Sequence, residues 1–102
     1  LLKRYNISNY FFLDCSFPMI YQLNKDNSLF VYVRSPISNP EFTLFETGKY
    51  ETEEKNIEIV YEDGTKYNGN YTVTDSVLTI TYPYQNASST LIFKRLPKPP
   101  DI

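Results

Sequence analysis

Apolar and polar residues alternate with a period of two along most of the chain, which is the pattern of half-buried β-strands. One stretch of this alternation occurs twice, and the two copies begin 21 residues apart. The copies are Gly48-Lys49-Tyr50-Glu51-Thr52 with Ile57, Ile59 and Tyr61, and Gly69-Asn70-Tyr71-Thr72-Val73 with Leu78, Ile80 and Tyr82. In each copy a strand begins at a Gly, a short polar turn follows, and a second alternating strand returns. The repeat therefore predicts consecutive β-hairpins.

The same alternation, interrupted by turn signals, predicts about eight strands. They span Tyr10–Leu13, Phe17–Leu23, Leu29–Arg34, Phe42–Thr52, Ile57–Tyr61, Lys66–Thr74, Val77–Tyr82 and Ser89–Arg95. Turn-forming residues cluster at Asn24–Ser28, Glu62–Thr65 and Pro83–Ser88, and Asp63-Gly64 is the strongest single turn signal. No segment carries a helical stripe, so the predicted fold class is all-β.

Alternation also assigns the two faces of the predicted sheet. The apolar face carries Tyr50, Thr52, Ile57, Ile59, Tyr61, Tyr71, Val73, Leu78, Ile80, Tyr82, Leu91 and Phe93. The polar face carries Glu51, Glu53, Glu58, Glu62, Thr72, Thr74, Thr79 and Thr81. An antiparallel up-and-down meander with one apolar face removes its unpaired edges most simply by forming a closed or nearly closed barrel. We expect residues 1–96 to form this single domain and residues 97–102 to form a Pro-rich extended tail.

Three parts of the chain match a known pattern. They are Tyr21–Phe30, Gly69–Val73 with Leu78-Thr79-Ile80, and Leu91–Leu96. Through them the chain resembles the small bacterial lipocalin-like, or calycin-like, domains found in secreted proteins and lipoproteins. Two features differ: the chain has no Trp for the usual Gly-x-Trp opening, and Asn27 stands where the bacterial domains favour Gly. The resemblance implies a location outside the cytoplasm and, in members that bind anything, a small apolar molecule or a peptide as ligand.

Composition and charge limit the classes of partner. The chain of 102 residues contains ten Tyr and seven Phe, which suit pleated, half-buried surfaces. Its formal net charge is -2, and residues 41–63 hold eight carboxylates against Lys49 and Lys55. Since no basic stripe can neutralise phosphates, nucleic acid is not an expected partner. No apolar run approaches the roughly 18 residues that a membrane-spanning helix needs, so no membrane span is expected.

Catalytic chemistry has little support in the sequence. The chain has no His, which removes the commonest general base and the usual metal ligand. Cys15, the only cysteine, is expected to be a small hydrophobe within the strand region around Phe11–Phe17. The carboxylates of Glu51, Glu53 and Glu58 fit a solvated face better than a cation site or a glycosidase pair. We therefore expect no enzyme activity, no metal site and no cofactor.

Eight aromatic residues are the candidates for lining a ligand cavity. They are Tyr21, Phe30, Tyr32, Tyr50, Tyr61, Tyr71, Tyr82 and Phe93. These rings either hold a small apolar ligand or simply fill the barrel, and the filled core is favoured because an eight-stranded barrel is narrow. The first functional hypothesis is a non-catalytic, extracytoplasmic lipocalin-like domain that binds a small apolar molecule. The alternative is a structural or protein-interaction module that has a filled core and acts through a loop rim or an edge strand.

Overall fold

Eight antiparallel strands form one sheet that closes on itself as a barrel. The strands are β1 (Asn9–Leu13), β2 (Met19–Leu23), β3 (Ser28–Arg34), β4 (Phe42–Glu53), β5 (Asn56–Tyr61), β6 (Lys66–Val73), β7 (Val77–Tyr84) and β8 (Ala87–Arg95). Each strand pairs with its sequence neighbours, and β8 pairs with β1, which confirms the predicted all-β meander and its closure.

The computed structural model describes residues 7–34 and 42–100. Residues 1–6 and 35–41 of the predicted domain, and residues 101–102 of the predicted tail, therefore lie outside the described part. Residues 97–100 belong to no strand. Within the described ranges, no helix is long and apolar enough to cross a membrane.

The barrel is closed by contacts between its first and last strands. Phe11 pairs with Arg95 and Leu13 pairs with Phe93 in an antiparallel register. The guanidinium carbon of Arg95 lies 5.5 Å from the centroid of the Phe11 ring, within the range of a cation–π contact. Ile7, which precedes β1, is buried in the same core. Backbone pairing and side-chain packing thus both hold β1 against β8.

The predicted apolar face lies inside the barrel. Tyr50, Thr52, Ile57, Ile59, Tyr71, Leu78, Ile80 and Phe93 are buried, and Tyr61, Val73, Tyr82 and Leu91 are partly buried against the core. On the predicted polar face, Glu51, Glu53, Glu62, Thr72 and Thr74 are exposed and Glu58, Thr79 and Thr81 are half-buried. The face assignment made from alternation is therefore confirmed for β5 to β8 and for the second half of β4.

Neighbouring backbone approaches the two glycines of the sequence repeat closely. A Cβ atom built on Gly48 would lie 2.5 Å from the carbonyl oxygen of Val60. A Cβ on Gly69 would overlap the carbonyl oxygen of Thr81 in the same way. Because the neighbouring backbone approaches so closely, only glycine fits at either position without a shift of the backbone. The repeat thus places a glycine at both close approaches.

Turn chemistry follows the predicted signals at two connections. Asn27, in the β2–β3 turn, has φ of 71°, a conformation that Gly adopts most readily and that Asn tolerates better than most residues. The carbonyl oxygen of Asn24 accepts hydrogen bonds from the Asn27 backbone N–H at 3.0 Å and from the Tyr50 hydroxyl at 2.6 Å. In the β5–β6 turn, Gly64 has φ of 91°, and the Asp63 carboxylate accepts a hydrogen bond from the backbone N–H two residues on. Side chains therefore hold both turns in place.

The β1–β2 connection differs from the prediction. The strand expected to begin at Phe17 begins at Met19, and Phe17 is 78% exposed. Pro18 explains the later start, because it has no backbone N–H to donate to a ladder. Cys15 was expected within the strand region, but it is exposed in the turn, where its thiol donates a hydrogen bond to the Phe17 carbonyl at 2.9 Å. Both expectations are corrected by the structure.

The β7–β8 hairpin is longer than predicted. The turn expected over Pro83–Ser88 is reduced to two residues, with Gln85 at φ of 57°, because β7 continues through Pro83 to Tyr84. The pairing of β7 with β6 ends at Thr81, so beyond that point β7 pairs only with β8. A proline is tolerated there since one side of the strand needs no ladder hydrogen bond.

Replacement of Tyr71 by Ala should destabilise the fold by roughly 3 to 5 kcal/mol, because it deletes a buried aromatic ring. Thr72→Ala, at the next position on the exposed face, is the matched control and should change the free energy of unfolding by less than about 0.5 kcal/mol. Urea denaturation of the two variants measures both values. Equal effects would mean that the inward and outward faces of β6 are wrongly assigned.

Gly69→Ala should cost about 2 kcal/mol or more, because the added methyl meets backbone rather than a movable side chain. Gly64 provides the control: space around it is open, and Asn at its positive φ should cost only about 1 kcal/mol. Thermal unfolding of Gly69→Ala and Gly64→Asn compares the two costs. A Gly69→Ala protein as stable as wild type would contradict the close approach of the Thr81 backbone to Gly69.

Candidate functional site

The barrel interior contains a cavity of about 200 Å³ that opens at one end. This mouth end carries the β1–β2, β5–β6 and β7–β8 turns, as the up-and-down topology requires. Most of the cavity wall is apolar and comes from Leu13, Met19, Ile59, Ile80, Leu91 and Phe93. The remaining lining residues are four tyrosines: Tyr21, Tyr61, Tyr67 and Tyr82. Within the part of the chain that the structure describes, the cavity is therefore an apolar pocket whose side-chain polar atoms, apart from the Met19 sulfur, are phenol oxygens.

Two of these phenols meet across the lumen. The hydroxyl oxygens of Tyr21 and Tyr61 lie 3.1 Å apart, so one hydroxyl donates a hydrogen bond to the other. Tyr21 is on β2 and Tyr61 is on β5, and these strands are not neighbours in the sheet. The hydrogen bond therefore spans the interior. It places a polar group within walls that are otherwise apolar.

Tyrosine rings also form the entrance of the cavity. The ring of Tyr67 makes edge-on contacts with Tyr61, at a centroid distance of 5.8 Å, and with Tyr82, at 5.3 Å. Tyr67 is 39% exposed, which makes it the most exposed of the four tyrosines that line the cavity. Deeper in the barrel, Tyr21 packs edge-on against Phe93 at 5.0 Å. The aromatic contacts thus run from solvent at Tyr67 to the buried core at Phe93.

The electrostatic environment keeps the hydroxyls of Tyr21 and Tyr61 neutral. Burial raises the pKa of the Tyr21 hydroxyl, and burial is also the main cause of a much larger rise in the pKa of Tyr61. The neighbouring Tyr21 and the negative charge of Glu46 raise the pKa of Tyr61 further. Among the described residues, none that lines the cavity carries a charge. The Tyr21–Tyr61 pair therefore offers neutral hydroxyl groups rather than a charged partner.

The eight aromatic residues predicted from the sequence fall into three groups. Tyr21, Tyr61, Tyr82 and Phe93 line the cavity. Tyr50 and Tyr71 are buried in the core but are not part of the cavity wall. Phe30 and Tyr32 lie on the outer face of β3.

The orientation predicted for Phe30 and Tyr32 is wrong. Along β3 it is Leu29 and Val31 that are buried, and alternation turns the intervening aromatic residues outward. The Tyr32 hydroxyl donates a hydrogen bond to the side-chain oxygen of Gln22, which also lies outside the barrel, at 3.0 Å. Because both faces of β3 are apolar, hydrophobicity alone did not identify the inner one.

Sequence reasoning missed Tyr67 as a residue of the site. The alternation that places Tyr71 inside also places Gly69 and Tyr67 on the inner face of β6, so the signal was present. The aliphatic wall residues Leu13, Met19 and Ile59 carried no such signal, because core and cavity residues have the same composition. Which inward side chains border free space depends on contacts between distant strands.

A larger hollow of about 680 Å³ lies mainly on the outer surface of β4 to β8. Glu51, Glu53 and Glu58 are among its lining residues, and no Lys or Arg of residues 7–34 or 42–100 lines it. Within the described residues, no three His, Cys, Asp or Glu side chains converge as metal ligands would. The hollow is open and polar, so it has the character of a solvated surface. We therefore take the smaller interior cavity as the candidate site.

In comparisons with known proteins, no protein-family model matches the chain and no curated protein matches it.

The buried phenols predict a specific dependence of stability on alkaline pH. The pKa of Tyr61 in the folded protein lies above the ordinary value of 10.0, so the folded state retains a proton that the unfolded chain releases above that pH. The stability contributed by this residue is complete below pH 10 and is lost as pH rises further. Above pH 10, Tyr61 should lower the free energy of unfolding by about 1.4 kcal/mol for each unit of pH.

Urea denaturation between pH 9 and 11.5 tests this prediction in wild type and in Tyr61→Phe. The variant should lose stability less steeply above pH 10, because one buried ionisable group is removed. Identical slopes for the two proteins would show that Tyr61 ionises as readily in the folded barrel as in the unfolded chain.

Proposed function

We propose that this chain is a non-catalytic, lipocalin-like binding domain that holds one compact apolar molecule in the mouth-end cavity. The observation that supports it most is the cavity itself, which is enclosed by apolar side chains and contains a few convergent phenol groups. This combination is typical of small-molecule sites, where apolar walls supply affinity and a few polar groups fix orientation.

The size of the cavity restricts the ligand. Pockets for drug-sized molecules have volumes of about 300 to 1,000 Å³, whereas a cavity of roughly 150 Å³ holds a single benzene ring. At about 200 Å³, this cavity suits one substituted ring or a short branched chain. Long-chain fatty acids, sterols and haem, which larger barrels accommodate, do not belong to this class.

Two further parts of the proposal have separate support. Absence of catalysis is supported by a chain without His and by a cavity wall whose described residues carry no charge and offer only phenols for acid–base chemistry. An extracytoplasmic location is supported only by the sequence resemblance to domains of secreted proteins and lipoproteins. That part of the proposal is independent of the ligand.

A structural or protein-interaction module is the second candidate function, and one observation favours it. Phe17, Leu44, Phe45 and Tyr84 are exposed large hydrophobic residues. Phe17 belongs to the β1–β2 turn and Tyr84 is the last residue of β7, so both lie at the mouth end, where the chain presents a partly apolar rim. Exposed apolar residues of this kind occur at protein-binding surfaces.

The proposed function predicts that toluene raises the melting temperature of the protein. At a concentration ten times its dissociation constant, a ligand that binds only the folded state stabilises it by about 1.4 kcal/mol. For a domain of this size the melting temperature should then rise by about 6 to 11 °C. Palmitate and haemin should give no such rise, because they exceed the volume of the cavity.

Leu91→Phe and Ile92→Phe are a matched pair of variants for this experiment. Leu91 lines the cavity, whereas Ile92 is exposed on the outer face of the same strand. Filling the cavity with the larger ring should abolish the toluene effect, and the outer substitution should leave it intact. Failure of toluene to stabilise wild type, or equal stabilisation of both variants, would remove the support for a cavity ligand and favour the interaction module.

A further inference from the structure

Resting on the proposed function, we propose that the ligand is a neutral, single-ring molecule bearing a hydroxyl or carbonyl group that hydrogen bonds to the Tyr21–Tyr61 pair. The chemical class is that of small phenols, aromatic alcohols and aromatic ketones. The hydrogen-bonding capacity of the pair, the charges around the cavity and the position of its entrance all favour this class.

The Tyr21–Tyr61 pair has unused hydrogen-bonding capacity. Two phenols provide two donor protons, and the hydrogen bond between them uses one. Within the described part of the chain, neither hydroxyl makes another hydrogen bond. One proton and several oxygen lone pairs therefore remain for a guest. A ligand hydroxyl can both accept from the pair and donate to it, and a ligand carbonyl can accept.

The charges near the cavity favour a neutral ligand. Among the described residues, neither Lys nor Arg lines the wall, so an anionic group there would be buried without a counter-charge from them. Glu46 lies on the inward face of β4, opposite the buried Val31, and its negative charge acts on Tyr61. A carboxylate placed beside the pair would be repelled by this charge. Aromatic acids are therefore disfavoured by electrostatics, and long-chain fatty acids are excluded by size as well.

The entrance gives the polar group of the ligand a path to the pair. Tyr67 contacts both Tyr61 and Tyr82 with its ring and is the part of the cavity wall nearest to solvent. A molecule that enters past Tyr67 meets the hydroxyl of Tyr61 between apolar walls. Burial of an unpaired ligand hydroxyl there would be costly, so the hydrogen bond decides which ring compounds are accepted.

The test compares p-cresol, p-xylene and benzoate by isothermal titration calorimetry at pH 7. p-Cresol and p-xylene have nearly the same shape, but only p-cresol carries a hydroxyl group, and benzoate carries a charge. Wild type should bind p-cresol about fivefold more tightly than p-xylene, the ratio expected for one net hydrogen bond, and benzoate more weakly than either. A purely apolar cavity would prefer p-xylene, because it leaves the hydroxyl without a partner.

The double variant Tyr21→Phe/Tyr61→Phe removes both hydroxyls and keeps both rings. It should reverse the preference to p-xylene while still binding that compound. The control, Tyr10→Phe/Tyr32→Phe, removes two phenols from the outer face and should keep the wild-type preference. A melting transition recorded for each variant establishes that it is folded.

The outcomes separate this inference from the proposed function. If wild type binds p-xylene as tightly as p-cresol, or binds benzoate equally well, the ligand class is wrong while the cavity function stands. The same holds if the preference for p-cresol persists in Tyr21→Phe/Tyr61→Phe. If none of the three compounds binds to wild type, both the ligand class and the proposed function are overturned.

Discussion

The narrow lumen of an eight-stranded barrel is the constraint on which the rest of this structure depends. Such a lumen is just wide enough for one set of inward side chains. Gly48 and Gly69 allow neighbouring backbone to approach closely, because neither residue has a Cβ atom. Phe11, Leu78 and Phe93 are fully buried inside the barrel. Free space is left at the mouth end, where the lining side chains include tyrosines that reach towards solvent.

The fold could be predicted because most strands have one polar and one apolar face. Tyr71 and Thr72 illustrate this: a period of two is sufficient to place the first inside and the second outside. On β3 the rule fails, since Leu29, Phe30, Val31 and Tyr32 are all apolar or aromatic and either face fits the interior. Solvent is also excluded from part of the outer face of β1 to β3. Ile20, which pairs with Phe12 on one side and with Tyr32 on the other, is only 2% exposed. A local pattern does not distinguish two apolar faces.

The candidate site was predictable only in part. Alternation identifies which rings point inward, and it is correct for Tyr21, Tyr61, Tyr82 and Phe93. A cavity, however, is the difference between the volume of the lumen and that of the side chains in it, and no local pattern contains that quantity. The contact that gives the cavity its polarity joins Tyr21 to Tyr61, which are 40 residues apart in the chain. It depends on barrel closure and strand register, so it appears only in the folded structure.

The cavity also has a thermodynamic consequence. At about 24 cal/mol per Å³, a dry void of 200 Å³ would cost on the order of 5 kcal/mol, which is comparable with the whole stability of a small domain. The open mouth and the four phenols reduce this cost, because water can enter and find hydrogen-bonding partners. A guest that replaces this water gains apolar contacts with the walls, but it must also reproduce the hydrogen bonds that the water made. The phenols that reduce the free-energy cost of the cavity in the free protein are therefore the same groups that select which ligand can fill it.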